Sequence, residues 1–263
     1  MVKPKILTLY ETALAQTTTE KRTTQKTLRC SSLPPCFVSY LLDKDKPKES
    51  NVLGNYYTSV GTILHGLIQN SISKTVADWQ CTKCKAEYEL KVKPSKCTEC
   101  SSRSFSHSEI ELTYKNIEGH IDLIFLLNKQ YHLVDIKTTS MASLPTVVKT
   151  PPASYRTQVT SYACLLYKTR EIKVNTISIL YVPRDNPSAA NLWTLPFTKD
   201  VYKQGMLNLE KWNETFERIK HKEKNIEIVL CKNVFCKYCM NSIAELQSAL
   251  NSKYGKNSFE VQK

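Results

Sequence analysis

The residues best suited to chemistry lie in four short motifs along the chain. In chain order they are Gly61-x-x-x-His65, Gly119-His120-Ile121-Asp122, Val134-Asp135-Ile136-Lys137-Thr138-Thr139 and Gln158-x-x-x-Tyr162. Together they supply two carboxylates, a histidine and a lysine, which is a minimal set for cleaving a phosphodiester with a divalent metal. The motifs therefore predict metal-dependent cleavage of a nucleic acid.

The two carboxylates are predicted to face each other across a β-hairpin. Asp135 and Lys137 are two residues apart on one strand, so their side chains share a face. If residues 128–129 form a two-residue turn, Asp122 lies directly opposite Asp135, and opposite residues of an antiparallel pair share a face. A three-residue loop without a bulge would instead place Asp122 on the other face.

A divalent cation is the expected partner of these carboxylates, because two carboxylates this close repel each other unless a cation joins them. Oxygen ligands select Mg²⁺ or Mn²⁺, and His65 would add a nitrogen ligand that favours Mn²⁺. The backbone carbonyl of Ile136 is a further expected ligand. Lys137 is expected to orient or activate the attacking water and to offset charge that develops on the phosphate.

Composition limits the class of protein. The chain has 263 residues, of which 41% are hydrophobic, enough for one full domain with a core. Its formal charge of +13 indicates a polyanionic partner, and nucleic acid is the default. No apolar run approaches the roughly 20 residues of a membrane span, and no secretion signal follows Met1. We therefore expect an intracellular, cytoplasmic protein of cellular or viral origin, whose ten cysteines bind metal rather than form disulfides.

The elements that must position the motifs indicate an α/β fold with a mixed central sheet flanked by helices. Apolar residues recur at helical spacing between Asn55 and Ser73, which places His65 on a helix. Segments bounded by turn residues predict strands at 109–114, 119–127, 131–137, 176–182 and 192–197. Further helices are predicted at 37–42, 154–167, 200–224 and 242–252. Residues 141–152, which contain three prolines, are expected to form a loop.

Four cysteines form two pairs with the spacing of a zinc ribbon. The pairs are Cys81-x-x-Cys84 and Cys97-x-x-Cys100. Four thiolates give a closed tetrahedral site, so this zinc is expected to be structural and to supply the stability that a small fragment lacks. The lysines around it are Lys83, Lys85, Lys91, Lys93 and Lys96. The sequence leaves open whether they make the ribbon a basic finger near the DNA path or surround a purely structural knob.

The order GxxxH, GxxD, DxK and QxxxY resembles that of the RecB-type nucleases of the PD-(D/E)XK superfamily. It is especially similar to the small CRISPR-associated and phage-encoded exonucleases with cysteine clusters, over about residues 28–240 apart from the ribbon. The resemblance implies a restriction-endonuclease-like fold and a DNA exonuclease. It implies catalytic roles for Asp122 as first acid, Asp135 as second acid, Lys137 as the lysine, His65 as an extra metal ligand, and Gln158 and Tyr162 as the last motif.

The resemblance also implies a metal at a second group of cysteines. Relatives often carry one cysteine before the core and three after it, which hold a four-iron iron–sulfur cluster. The corresponding residues are Cys36, Cys231, Cys236 and Cys239. This chain departs from the pattern because Cys231 precedes the Cys-x-x-Cys pair instead of following it, and Cys30 is an alternative ligand. Since thiolates suit both metals, zinc and iron–sulfur both stay open. Cys164, in an apolar helix, is expected to be a buried core residue.

These expectations divide the chain into four parts. Residues 1–28 form a loosely ordered N-terminal segment, and residues 29–78 and 107–230 form the nuclease core. Residues 79–106 form the inserted zinc ribbon, and residues 231–263 hold the C-terminal cysteine group and a short helix.

The leading hypothesis is a DNA exonuclease that requires Mg²⁺ or Mn²⁺ and acts on single-stranded or end-containing double-stranded DNA. Two alternatives keep the chemistry: a CRISPR adaptation-type nuclease that works with recombination or adaptation proteins, and a structure-specific endonuclease. An alternative of another class is a zinc-ribbon adaptor that binds nucleic acid through a dead nuclease fold. The intact acids and lysine argue against the adaptor.

Overall fold

The computed structural model of the protein describes residues 27–33, 36–43, 52–71, 75–230, 238 and 241–262. Nearly all of the predicted loose segment 1–28 lies outside these residues, and so do Cys231, Cys236 and Cys239. Among the helices that are described, none combines the length and the apolar character needed to cross a membrane.

Twelve strands, six α-helices and two short 3-10 helices follow one another in the described residues. The strands are β1 (Leu28–Arg29), β2 (Thr75–Cys81), β3 (Glu87–Val92), β4 (Phe105–Ser108), β5 (Ile110–Tyr114), β6 (Ile117–Ile121), β7 (Leu123–Leu127), β8 (Gln130–Thr139), β9 (Thr176–Pro183), β10 (Asn191–Pro196), β11 (Ile226–Val229) and β12 (Phe259–Gln262). The helices are α1 (Phe37–Asp43), α2 (Val52–Ser71), α3 (Leu144–Lys149), α4 (Ala153–Arg170), α5 (Lys199–Lys220) and α6 (Ile243–Tyr254).

The largest sheet has seven strands and is mixed. Its order is β10-β9-β8-β7-β2-β3, and β4 pairs with β2 beside this path. β8 and β9 are parallel, whereas the other neighbouring strands of this sheet are antiparallel. A three-stranded sheet, β1-β6-β5, and a parallel pair, β11-β12, complete the described strands. The predicted α/β fold with a mixed central sheet is confirmed.

Helices cover both faces of the large sheet. On one face, α2 packs against a cluster that includes Val134 and Ile136 of β8. On the other face, Leu133 of β8 lies in the main core, to which α4 contributes most of its buried residues. Because side chains alternate along a strand, Asp135 and Lys137 point to the same side as Leu133, toward α4.

The hairpin that carries the acids has the predicted turn. Asn128 and Lys129 have φ angles of 49° and 62°, the left-handed values that a two-residue hairpin turn requires at both central positions. Leu127 pairs with Gln130, and the ladder continues to its last pair, Leu123 with Val134. The turn therefore sets the register from which the facing carboxylates were predicted.

The strand predicted at 119–127 is wrong in one respect, because the chain bends at Asp122. The bend separates β6, in the small sheet, from β7, in the large sheet. The ladder thus ends one residue before Asp122 would pair with Asp135. The Asp122 carboxylate accepts the backbone N–H of Ile136 at 2.7 Å, so a side chain satisfies the donor just beyond the ladder.

Several further elements differ from the predictions. The expected loop at 141–152 contains α3, whose proline at the start of the helix is compatible with a first turn. β11 and β12 were not predicted, because each has four residues and their pairing joins distant parts of the chain. The long helix expected to reach residue 224 ends at Lys220.

The cysteine ribbon is built onto the edge of the large sheet. β2 pairs with β3 and β4 on the ribbon side and with β7 of the core. A small core of Ala77, Trp79, Cys81, Cys97 and Phe105 fills the ribbon. The predicted insertion, residues 79–106, therefore shares a continuous strand with the core and begins inside that strand.

Candidate active site

One pocket gathers residues from all four motifs. Its lining includes His65, Gly119, His120, Asp122, Asp135, Lys137, Gln158 and Tyr162, together with Glu109, Glu118 and residues 29–31. The pocket lies where the large sheet and the small sheet separate, since the bend at Asp122 joins β6 to β7. The motifs are thus brought together by four elements: α2, the β6–β7 bend, β8 and α4.

Asp122 lies at the centre of the pocket and is nearly buried, with 8% of its surface exposed. Its Oδ2 accepts the N–H of Ile136, and its Oδ1 lies 3.6 Å from Nδ1 of His65. One oxygen is therefore fixed by the backbone of β8 while the other faces the histidine of α2. The carbonyl of Ile136, the expected backbone ligand, belongs to the same strand, β8.

Asp135 is more deeply buried, with 1% of its surface exposed. Its Oδ1 accepts a hydrogen bond from Nε2 of Gln158 at 3.1 Å, and its Oδ2 lies 2.8 Å from Nζ of Lys137. Apart from this ion pair, Oδ2 has no hydrogen-bond partner within the described residues. Burial raises the pKa of Asp135 to about 6; the charge of Lys137 opposes this shift and that of Asp122 adds to it.

Lys137 is held between an acid and an aromatic ring. Its side chain is 19% exposed, and its Nζ lies 5.2 Å from the centroid of the Tyr155 ring as well as beside Asp135. The ring attracts the ammonium group electrostatically. The lysine is therefore a positive charge held in place in the lining of the pocket.

Gln158 and Tyr162 occupy one face of α4, one helical turn apart. Nε2 of Gln158 donates to Oη of Tyr162 at 2.7 Å as well as to Asp135. Gly119 of β6 permits this arrangement: a Cβ atom there would lie 2.9 Å from the Tyr162 ring and 3.0 Å from Sγ of Cys30. The glycine of the second motif therefore makes room for the tyrosine of the fourth.

His65 is half-buried beneath Asp122. Burial lowers the pKa of His65, but the hydrogen bond and the charge of Asp122 together outweigh burial, so the pKa is raised above its usual value. The imidazole thus faces the carboxylate at a distance that a shared cation could bridge.

Glu109 also lines the pocket, and the sequence analysis did not identify it. Nε2 of Gln69 donates to Oε1 of Glu109 at 3.1 Å and to the backbone oxygen of Asp122 at 3.2 Å. One ligand atom each from His65, Glu109 and Asp122 lie within 4.8 Å of one another. No motif includes Glu109, and the only signal for it was its position between the ribbon and a core strand.

The four ribbon cysteines converge as their spacing predicts. Sγ of Cys81 lies 3.5 Å from Sγ of Cys100, and Sγ of Cys84 lies 3.5 Å from Sγ of Cys97. All four sulfurs fall within 4.8 Å of one another and none forms a disulfide. This arrangement suits a tetrahedral metal ion. Of the surrounding lysines, Lys83, Lys85, Lys91 and Lys96 are exposed, and Lys93 is half-buried over the Trp79 ring.

Only part of the second cysteine group can be placed. Cys36 is half-buried, and its Sγ accepts the N–H of Ser39 at 3.4 Å. Its three expected partners lie outside the described residues. Cys30, the alternative ligand, is fully buried beside Gly119 and lines the active-site pocket. Cys164 is buried in α4, which confirms the prediction of a core residue.

Comparison with known proteins gives a family and a set of similar folds. Residues 86–242, more than half of the chain, match the PD-(D/E)XK nuclease superfamily. The solved structure of SSO0001 is 14% identical, with 90% of this chain and 95% of that chain covered and a TM-score of 0.45. LHK-Exo, an alkaline exonuclease from Laribacter hongkongensis, is 10% identical, with 80% and 97% covered and a TM-score of 0.37. Its complex with dAMP is 12% identical, with 76% and 94% covered and a TM-score of 0.39. No curated protein matches the chain.

Proposed function

Since the chain belongs to the PD-(D/E)XK nuclease superfamily, whose members use divalent metals, we propose that it is a RecB-type deoxyribonuclease that degrades DNA from an end. The observation that carries this proposal is the convergence of Asp122, Asp135, Lys137 and His65 in one pocket. Burying a carboxylate almost completely is costly, and such carboxylates are found mostly at functional sites.

The donor set fits a divalent cation. Oδ2 of Asp135 is buried and, apart from its ion pair with Lys137, has no hydrogen-bond partner in the described part of the chain, and Oδ1 of Asp122 faces an imidazole. The ion would be held by Asp122, Asp135, His65 and the carbonyl of Ile136, a set of oxygen and nitrogen ligands that suits Mg²⁺ or Mn²⁺. When bound, the ion would polarise the phosphate and lower the pKa of water.

The chain's own side chains would orient the reaction. Lys137, fixed by Asp135 and Tyr155, would hold positive charge where the phosphate becomes more negative and would orient the attacking water. Gln158 holds Asp135 in one rotamer through its amide, and Tyr162 holds Gln158 in turn. Gln158 and Tyr162 thus act as positioning residues in this proposal.

DNA binding would rely on phosphate contacts. The formal charge of +13 and the exposed lysines of the ribbon favour a polyanion. Phosphate contacts carry little base information, so binding is expected to depend strongly on salt and weakly on sequence. Partners other than DNA, such as recombination or CRISPR-adaptation proteins, belong to the same proposal, as does action inside a cell.

The cysteines add two further metal sites to the proposal. Zinc at Cys81, Cys84, Cys97 and Cys100 would be structural, because four thiolates leave no open position. A zinc ion or a four-iron cluster at Cys36, Cys231, Cys236 and Cys239 would join the two ends of the chain. Elemental analysis and the visible absorption of anaerobically purified protein distinguish these two metals.

The test is the digestion of end-labelled DNA with Mg²⁺ or Mn²⁺. The intact protein is compared with Asp135→Ala and Lys137→Ala, and Lys129→Ala in the exposed turn is the matched control. We expect digestion by the intact protein and by the control, and loss in both active-site variants. A circular single strand separates the activities: an exonuclease leaves it intact, whereas an endonuclease cuts it. Binding without digestion under both metals would instead favour the adaptor.

A further inference from the structure

We propose that Glu109 is a ligand for the divalent cation, and that it forms a cation position together with His65 and Asp122. The inference deepens the proposed function and rests on it for the reaction that the cation serves. Cation binding itself can be measured without DNA, so the two proposals can fail separately.

Geometry places three donors of suitable type around one point. Ligand atoms of His65, Glu109 and Asp122 all lie within 4.8 Å of one another, and Asp135 is not a member of this group. Two carboxylates and one imidazole form a ligand set that favours Mn²⁺ over Mg²⁺, because Mn²⁺ accepts a nitrogen ligand more readily. The position therefore lies on the side of Asp122 that faces α2.

Gln69 fixes the two carboxylates relative to each other. Its side chain is buried, and its Nε2 donates both to Oε1 of Glu109 and to the backbone oxygen of Asp122. One amide group thus contacts both the backbone of Asp122 and the side chain of Glu109, which fixes these two groups relative to each other. A preorganised ligand loses less side-chain freedom when the cation binds.

Charge in the pocket also favours a cation here. Among the described residues, no lysine or arginine forms an ion pair with Glu109 or Asp122, and Lys137 is paired with Asp135. Two carboxylates that approach this closely repel each other. A divalent ion at this position would relieve the repulsion between Glu109 and Asp122.

The cysteine ribbon positions the backbone of Glu109 beside the pocket. Glu109 directly follows β4, whose residues from Phe105 to Ser108 pair with β2 from Cys81 back to Asp78. The next residue, Ile110, is buried in β5 and pairs with Ile121. The backbone of Glu109 is therefore held by the ribbon on one side and by the small sheet on the other.

The experiment is a Mn²⁺ titration of the full, zinc-loaded chain, in which the electron paramagnetic resonance signal measures the concentration of free Mn²⁺. Glu109→Gln keeps the shape of the side chain and an oxygen that can accept from Gln69, but removes the charge. Glu111→Gln is the matched control: it makes the same change two residues along the chain, where the side chain is 79% exposed. We expect Glu109→Gln to weaken Mn²⁺ binding by at least about tenfold, the scale seen when groups around a metal are removed. Binding by the control should not change.

A Glu109→Gln protein that titrates like the intact chain would overturn the inference. Thermal unfolding without metal shows whether the variant is folded; if it is not, Glu109→Asp replaces it, and weaker binding is expected because the ligand atom is withdrawn by one methylene. DNA digestion separates the two proposals. Intact protein that binds Mn²⁺ through Glu109 but does not digest DNA supports the ligand and refutes the nuclease. DNA digestion by the intact protein, together with unchanged Mn²⁺ binding by Glu109→Gln, supports the nuclease and refutes the role of Glu109 as a ligand.

Discussion

Replacing Gly119 by alanine should damage the active site without replacing any proposed ligand of the divalent cation. A Cβ atom at this position would lie 2.9 Å from Cδ1 and Cε1 of Tyr162 and 3.0 Å from Sγ of Cys30. Carbon atoms pack at about 3.5–4.0 Å, so the ring must retreat by roughly 0.6–1 Å. Tyr162 is 4% exposed and has little room to move. We therefore expect the added methyl group to displace the Tyr162 ring, because it has no solvent-filled space to occupy.

The displacement should propagate to the catalytic carboxylate. Oη of Tyr162 accepts from Gln158, and Gln158 donates to Asp135, so two hydrogen bonds connect the ring to the proposed ligand. Overpacking a core costs about 1–3 kcal/mol of stability. Misplacing a reacting group by about 1 Å can lower the rate by about 10²-fold. We expect a loss of this order in the rate constant for metal-dependent digestion.

The assay is single-turnover digestion of end-labelled DNA, at a temperature where circular dichroism shows the variant folded. Gly66→Ala is the matched control, because a Cβ atom there meets nothing within 4 Å and lies in α2. Alanine is favoured over glycine in a helix by about 1 kcal/mol, so this control should be stabilised and fully active. Full activity in folded Gly119→Ala would refute the role given to Tyr162 and Gln158.

Three further predictions test other parts of the molecule. In the metal-free protein, the melting temperature of Asp135→Asn relative to that of the intact chain should be higher at neutral pH than at acidic pH. Burial raises the pKa of Asp135 from 3.8 to about 6, so the intact chain gains stability as the pH falls through about 6 toward 4, and the variant cannot gain it; calorimetry across pH 4–7 would reveal the difference. Changing Lys83, Lys85, Lys91 and Lys96 to glutamate should weaken DNA binding. It should also reduce the magnitude of the slope of log affinity against log salt by about 0.7–0.9 for each phosphate that the protein no longer neutralises. Unchanged affinity in a fluorescence-anisotropy titration would indicate that the ribbon is purely structural. Elemental analysis of Cys97→Ser should show that the proposed ribbon zinc is lost, and Mn²⁺ binding should weaken because the ribbon positions Glu109. A zinc-free variant with normal Mn²⁺ binding would show that the ribbon does not position the Mn²⁺ ligands.

Sequence reasoning predicted the four motifs that line the pocket because the chemistry and order of those residues are local. The turn at Asn128 and Lys129 fixes the register of β7 and β8, and a period of two residues then determines which side chains share a face. The convergence of the four ribbon cysteines also follows from spacing alone.

What was missed depends on contacts between distant segments. The bend at Asp122 leaves no mark on the alternation of apolar residues, because it arises when the side chain takes the N–H of Ile136. Glu109 is placed by pairings between distant strands, and Gln69, on α2, then contacts both its side chain and the backbone of Asp122. The short strands β11 and β12 likewise exist only as a pair. Sequence periodicity contains no information on such pairings.

The place of the ribbon in the chain would connect a metal ion at its four cysteines to the proposed cation site in the pocket. β2 ends at Cys81 and pairs with β7 through Val76 and Ile124, so the strand that leads into the ribbon also braces the strand that follows Asp122. The strand that leaves the ribbon, β4, pairs with β2 and ends directly before Glu109. A metal ion that holds the four cysteines together thus fixes two strands, and each of these strands positions one carboxylate. A ribbon that served only to bind DNA could be attached at any exposed loop, whereas a ribbon that also positions Asp122 and Glu109 must be inserted between α2 and β5, where this one lies.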